Sequence, residues 1–440
     1  MRDPQVDHST SRVKVYTEVT DTISISYTTG IQRVVREIVS RLDTPDYPDI
    51  EVIPVFSPAA QRGFRLLTDT ETRALHIHPA GGQAGRRADK FGPLAPVVKV
   101  LGDTKIVYQT RIRYRQARSF LRERRFHTGN LAVERFESGS VFFDIEGSWF
   151  DPEPRSTLLP KLRQDGVHLL VFIHDVMPAL YPEWFDPRQV SAFTDWLTAH
   201  VTNSTRFLTN SRCTSNDLLK IASRMGVDLT GRIHQAALGA DFVDRPPVAV
   251  RLPNSIDKYL LVVGTVEPRK NHQLVLNAWD ELRRTNPGLG LVLVGKEGWM
   301  VDDLVNRIRS HEEFGNRLQW LGGLTDAELL WLYQNAFITV APSRYEGLGV
   351  PVIEALVNGS PAIVSTGGAL PEAGEGHTEL VDPDSVGDLV HLILRHIEEP
   401  DHHERMVSSA LSFEPPNWDE TTAAVAQAIR STVESPQSKN

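Results

Sequence analysis

The sequence predicts an α/β protein with two doubly wound domains. Three observations carry this. Short apolar runs alternate with helical patterns along most of the chain, as parallel strands joined by crossover helices do. A length of 440 residues suits two or three cores. Residues 243–257, VDRPPVAVRLPNSID, hold three prolines and no clear periodicity, which marks a linker. The expected units are a first domain at 13–242, the linker at 243–257, a second domain at 258–415 and a last helix at 416–433.

Composition narrows the class. Hydrophobic residues make up 40% and charged residues 23%, the balance of a globular protein. A net charge of −9 argues against a nucleic-acid partner. Cys213 is the single cysteine, so no intrachain disulfide can form and a reducing cytoplasm is the expected location. It reads as a small packed residue rather than a nucleophile. No apolar run approaches the ~18 residues that span a bilayer. The polar opening MRDPQVDHSTSR lacks the apolar stretch of a signal peptide, and the closing ESPQSKN reads as disordered.

In the first domain, residues 12–19 (RVKVYTEV) form the first expected strand. A small-residue turn, SYTTG, leads into a helix from Ile31. Residues 50–56 are a second strand, and 76–98 a Gly-, Pro- and Ala-rich loop. From Arg111 to Arg125 the chain holds seven arginines and one acid, interleaved with Tyr114 and Phe120. This run is either a solvated helix face or a patch that meets an anionic membrane surface or lipid phosphate at the inner membrane face. Residues 141–144 and 169–173 are strand-like. The latter ends at His174-Asp175, on the edge where such sheets bind ligands. Asp175 either orients the imidazole or caps the next helix. A strand at 207–209, a helix and a final strand and turn at 227–241 complete this half.

The second domain opens with the strand YLLVVG, ending at Gly264. A turn, TVEPRKN, and a helix to about Arg284 follow. Adjacent Arg269 and Lys270 in such a turn can both reach a diphosphate, the first through two oxygens and the second as a point charge. Strands at 291–295 and 317–322 follow, then a capping box at Thr325–Glu328. The stretch 337–374 is the richest. It reads as a strand at 337–341, a turn, a helix over about 350–358 stopped by Gly359 and Pro361, a strand at 362–365, and the turn Gly367-Gly368. The amides of Gly347, Leu348 and Gly349 lie where a helix starts and can bind an anion. Glu346 and Glu354 either accept hydrogen bonds from sugar hydroxyls or serve the helix dipole and the solvated surface. A helix at 385–398 and a last one from Trp418 to about Thr432 close the chain.

The segment YEGLGVPVIEALVNGSPAIVSTGGALPE resembles the signature of family-4 retaining glycosyltransferases, which have the GT-B fold of two Rossmann-like domains. The resemblance implies that Glu346 contacts the donor sugar and Glu354 the nucleotide ribose, with backbone contacts from Gly367-Gly368. VGTVEPRKN is similar to the family's Arg/Lys pyrophosphate motif, which assigns Gly264, Arg269 and Lys270 to the donor diphosphate. The commoner pattern has Arg directly after the glycine; here Thr265 stands there, and Arg269 is expected to take over that charge. FIHDVMPALYPEWF is similar to the family's His-Asp element and puts His174 near the reacting sugar. The loop TGIQR implies contacts to donor and acceptor from Gly30 and Arg33. The last helix is implied to cross back onto the first domain.

The expected activity is therefore transfer of a hexosyl unit from a nucleoside-diphosphate sugar, GDP-mannose first and UDP- or dTDP-hexoses next. The acceptor is a saccharide or lipid-linked saccharide of a bacterial surface polysaccharide. His174, Glu346, Arg269 and Lys270 are the candidate catalytic residues. Cationic side chains and helix-start amides would stabilise the leaving diphosphate without a metal. No DxD pair in the expected setting and no His/Cys cluster of metal-ligand spacing stands in the sequence, so neither metal nor other cofactor is expected. Two alternatives remain open: a nucleotide-sugar 2-epimerase on the same scaffold, and a binding subunit without turnover.

Overall fold

The computed structural model describes residues 12–24, 30–58, 63–76, 131–150, 153–240 and 246–435. The SYTT turn, most of the loop at 76–98, the run from Arg111 to Arg125 and Asp241 lie outside the described residues.

The first sheet has eight strands among the described residues: β1 (Val13–Glu18), β2 (Ile50–Phe56), β3 (Phe64–Leu66), β4 (Ala132–Val133), β5 (Val141–Asp144), β6 (His168–Ile173), β7 (Arg206–Thr209) and β8 (Ile233–Gln235). Their spatial order is β4-β3-β2-β1-β5-β6-β7-β8. From β2 to β8 all neighbours are parallel, whereas β3 and β4 add antiparallel at one edge. The two edge strands are absent from the sequence reading, because so few residues cannot display a period-two pattern.

The second sheet holds β9 (Lys258–Val263), β10 (Leu289–Val294), β11 (Leu318–Leu321), β12 (Ile338–Ala341), β13 (Ala362–Ser365) and β14 (Thr378–Val381). It is wholly parallel, in the order β11-β10-β9-β12-β13-β14. Its central strands are unbroken apolar runs because helices cover both faces. Leu260, Leu291, Ile338 and Ile363 pack on one side with Trp279 and Leu276 of helix His272–Leu282. Leu261, Val292 and Val364 pack on the other with Val352 and Leu356 of helix Val350–Val357. The capping box read at Thr325 is present: its hydroxyl accepts from the Glu328 amide, and Glu328 accepts from the Thr325 amide.

Helix Trp418–Glu434 returns to the first domain. Trp418, Val425 and Ile429 are buried in one core with Val34, Ile38, Phe143 and Leu170. Arg430 grips both carboxylate oxygens of Asp49, at 2.7 and 2.9 Å. Ile429 is 0% exposed, so Ile429→Ala is expected to destabilise the first domain by about 2–5 kcal/mol. A lower urea midpoint, with an unchanged denaturant slope, is the expected readout.

Candidate active site

The second sheet reverses its strand order between β9 and β12, and the loops leaving those two strands part there to form a crevice. The loop after β9 carries Arg269 and Lys270 in the tight turn Pro268–Lys270. The loop after β12 carries Ser343 to Gly349 into helix Val350–Val357. Asn271 ties the loops together: its amide donates to the Pro342 carbonyl at 3.2 Å and the Pro383 carbonyl at 2.8 Å.

Glu346 is the centre of the charge cluster. One carboxylate oxygen pairs with Arg269 at 2.7 Å, and the other takes Lys270 and the Ser343 hydroxyl, the latter at 2.7 Å. Burial alone would raise its pKa. The charges of Lys270 and Arg269 and the hydrogen bonds from Lys270 and Ser343 outweigh burial and hold it at about 2. Arg269 also pairs with Glu267 at 2.7 Å. Burial pushes Glu267 up, against the pull of Arg269 and Lys270. Two acids thus balance two cations.

Backbone donors border this cluster. Among the described residues the amides of Gly347, Leu348 and Gly349 have no hydrogen-bond partner. Gly349 takes a φ of 93°, a left-handed backbone that side chains disfavour, and so turns the chain into the helix. Gly264 donates to the Val294 carbonyl at 2.8 Å, and its α-carbon underlies the Lys270 stem. Gly367 and Gly368 pack on the turn at 343–346, where the Ala369 amide donates to the Glu346 carbonyl at 2.9 Å. Glu354 lies inside helix Val350–Val357 and accepts from the Tyr333 hydroxyl at 3.0 Å. Burial raises its pKa; Tyr333 and the charge of Arg33 oppose the rise. Arg33, from helix Gly30–Leu42 of the first domain, therefore acts electrostatically on Glu354, while its guanidinium sits 6.0 Å from the Trp418 ring. Gly30 is exposed at the start of that helix.

The first domain presents His174 at the end of β6. Its Nε2 donates to the Ile145 carbonyl at 2.8 Å, and its ring stacks on Phe172 at 4.5 Å. Of the two roles open to Asp175, the structure has the cap: its carboxylate accepts from the Met177 amide at 3.0 Å. The domains touch at this point. A Cβ on Gly347 would lie 2.5 Å from the His174 carbonyl oxygen and 2.7 Å from Asp175 Cβ. The Gly347 carbonyl accepts from Ser211 at 2.6 Å and Thr214 at 3.1 Å. Beside it, Glu372 of the second domain accepts the amides of Arg212 and Cys213 at 2.7 and 3.1 Å, capping helix Arg212–Arg224 of the first.

Residues 249–413 match the family described as glycosyl transferases group 1. The second domain is that of a group 1 glycosyltransferase. Serotype-specific mannosyltransferase WbdA of Escherichia coli is 25% identical over 345 residues, 74% of this chain and 42% of that protein. O-antigen chain mannosyltransferase B of Escherichia coli is 27% identical over 270 residues, 58% of this chain and 68% of that one. The chain thus spans less than half the length of WbdA. Anabaena Alr3699/HepE, solved in complex with UDP and glucose, shares the fold with a TM-score of 0.60 at 16% identity, over 96% of this chain and 100% of that one. The fold is GT-B.

Both histidines beside the site are held neutral at pH 7. Burial pushes His174 down to about 4, against the hydrogen bond to Ile145. With Nε2 donating to a carbonyl, Nδ1 carries the lone pair. His272, which the sequence reading missed, is buried beneath Lys270 and Glu346, in a hollow that they line together. Neither of its ring nitrogens has a hydrogen-bond partner among the described residues. Burial first, then the charge of Lys270, push it down to about 3. An unfolded histidine titrates near ~6.5, so between these values the unfolded chain binds protons that the folded chain refuses. Stability is complete above pH ~6.5 and is lost as pH falls. At pH 5 His272 should cost about 2 kcal/mol, seen as a lower urea midpoint than at pH 7.5; equal midpoints would contradict this.

Proposed function

We propose that this glycosyltransferase moves mannose from GDP-mannose to a saccharide or lipid-linked saccharide acceptor, with retention of anomeric configuration. The observation that carries the reading is the meeting of Arg269, Lys270, Glu346 and three unpartnered amides at the switch point of the second sheet, opposite neutral His174. The mannosyltransferase names of two relatives support the sugar. The arginine-rich run at 111–125 would suit a lipid-linked acceptor at the cytoplasmic face of an anionic membrane.

In this mechanism the bond between the anomeric carbon and the diphosphate oxygen breaks. The acceptor hydroxyl oxygen bonds to the same face of that carbon, and its proton passes to the leaving diphosphate. Lys270, Arg269 and the amides of residues 347–349 stabilise the charge that develops there. The incoming diphosphate competes with Glu346 for both cations, which releases the carboxylate to sugar hydroxyls. Nδ1 of His174 offers an acceptor to a hydroxyl near the reacting carbon. The interdomain contacts at Gly347 exclude water from the reaction. Glu354 serves the ribose.

A thermal-shift panel of GDP-, UDP-, dTDP- and ADP-sugars tests the donor. A ligand that binds the native state alone raises Tm, and GDP-mannose should raise it most. The chosen donor is then incubated with and without acceptor. Release of GDP dependent on acceptor supports transfer, whereas an epimerised sugar formed without acceptor overturns it.

A further inference from the structure

A second cluster lies in the same domain, at the opposite edge of its sheet. Arg269 and Glu346 follow the C-terminal ends of β9 and β12. Glu379, by contrast, is the second residue of β14, close to where that strand begins. Around it stand His396, from the last turn of helix Val386–Glu398, and His402 and His403, from the first turn of helix Pro400–Leu411. His396 Nε2 is 2.6 Å from one Glu379 oxygen, and His402 Nε2 is 3.2 Å from the other. The three donor atoms all lie within 4.8 Å of one another. His396 and His402 are buried. Despite its approach to the carboxylate, His402 Nε2 has no hydrogen bond of acceptable geometry among the described residues.

The chemistry of this group is that of a transition-metal site. Imidazole nitrogens with one carboxylate suit zinc, whereas magnesium and calcium prefer all-oxygen sets. Ligand bonds of roughly 2.0–2.2 Å in a tetrahedron place two donor atoms roughly 3.3 Å apart, close to the His402–Glu379 separation. The shorter His396 approach, 2.6 Å, is to the other Glu379 oxygen and is that of a hydrogen bond, which an ion would replace. The outer partner is also present. His396 Nδ1 lies 3.0 Å from His403 Nδ1, and the His403 ring is stacked on Phe337 at 4.4 Å. With His403 accepting, His396 carries its proton on Nδ1 and directs the Nε2 lone pair at the ion, the arrangement that ligating histidines adopt. Spacing in the sequence hid this group, because its members come from one strand and two helices.

We propose that Glu379, His396 and His402 bind one divalent transition-metal ion of the zinc type, with His403 as a positioning residue, and that the ion fastens two C-terminal helices to edge strand β14. The test uses the full chain without a histidine tag, stripped by EDTA and titrated with zinc chloride by calorimetry. The expected result is one zinc per chain and a rise in Tm with zinc but not with magnesium. His402→Gln, which leaves the Glu379–His396 pair in place, should abolish binding. His403→Ala should weaken it about 10–100-fold. His391→Ala, an exposed residue on the same helix, should change nothing. Cobalt added to the stripped wild-type protein should give the intense visible bands of a low-coordinate site, a readout that needs no variant to fold. Wild-type protein that takes up no zinc, or His402→Gln that binds it as wild type does, would overturn the proposal.

Discussion

Glu346→Ala is expected to lower kcat by at least ~100-fold, the scale of one well-placed electrostatic group, while leaving donor KM unchanged or lower. The split follows from the pairing at the switch point. In the free protein Glu346 holds Arg269 and Lys270 and so competes with an incoming diphosphate. Its removal frees both cations for the donor but withdraws the carboxylate that would hold the sugar. A carboxylate of purely structural use would give another result, namely a lower Tm with kcat intact. Lys270→Ala should also slow transfer but move donor KM the other way, raising it. Initial rates of GDP release over a donor series read both parameters.

Gly347→Val is expected to cut kcat/KM by about 100-fold, the usual scale for a displacement of about an ångström between reacting groups. The new Cβ would meet the His174 carbonyl oxygen and Asp175 Cβ, neither of which is the free end of a flexible side chain. The second domain must then withdraw, losing the bonds from Ser211 and Thr214 to the Gly347 carbonyl. Arg269, Lys270, Glu346 and Glu354 all belong to the second domain, so most nucleotide-sugar contacts should persist. A larger radius of gyration in solution scattering, with near-normal donor affinity, is the expected pattern. Normal activity in this variant would contradict the contact between the domains.

The architecture was legible because the second sheet is buried on both faces. Five of its six strands stop at glycine or proline turns within a residue or two of the expected boundaries, whereas the polar edge strand β14 (TELV) was not expected. The charged turn at 269–270 and the glycine turn at 347–349 could be found in the sequence, since loops after parallel strands gather at one edge. What each side chain touches could not. Glu346 was expected to face sugar, and the local pattern gives no sign that its carboxylate also pairs with Arg269 and Lys270. Asp175 was open between two roles, and its carboxylate takes the first amide of the next helix, Met177. Glu372 and Arg212 lie far apart in the chain, and no local pattern announces that one caps the other's helix. His272 looked like any helix residue, yet it is buried against the charged cluster.

The central claim is that the crevice between β9 and β12 grips a sugar diphosphate. A crystal structure of the protein with GDP-mannose tests it directly. The account predicts the diphosphate within hydrogen-bond reach of Lys270, Arg269 and the amides of residues 347–349, with Glu346 turned from the cations to the sugar. Nucleotide density at another place, with the pairs of Glu346 to Arg269 and Lys270 intact at saturating donor, would contradict it.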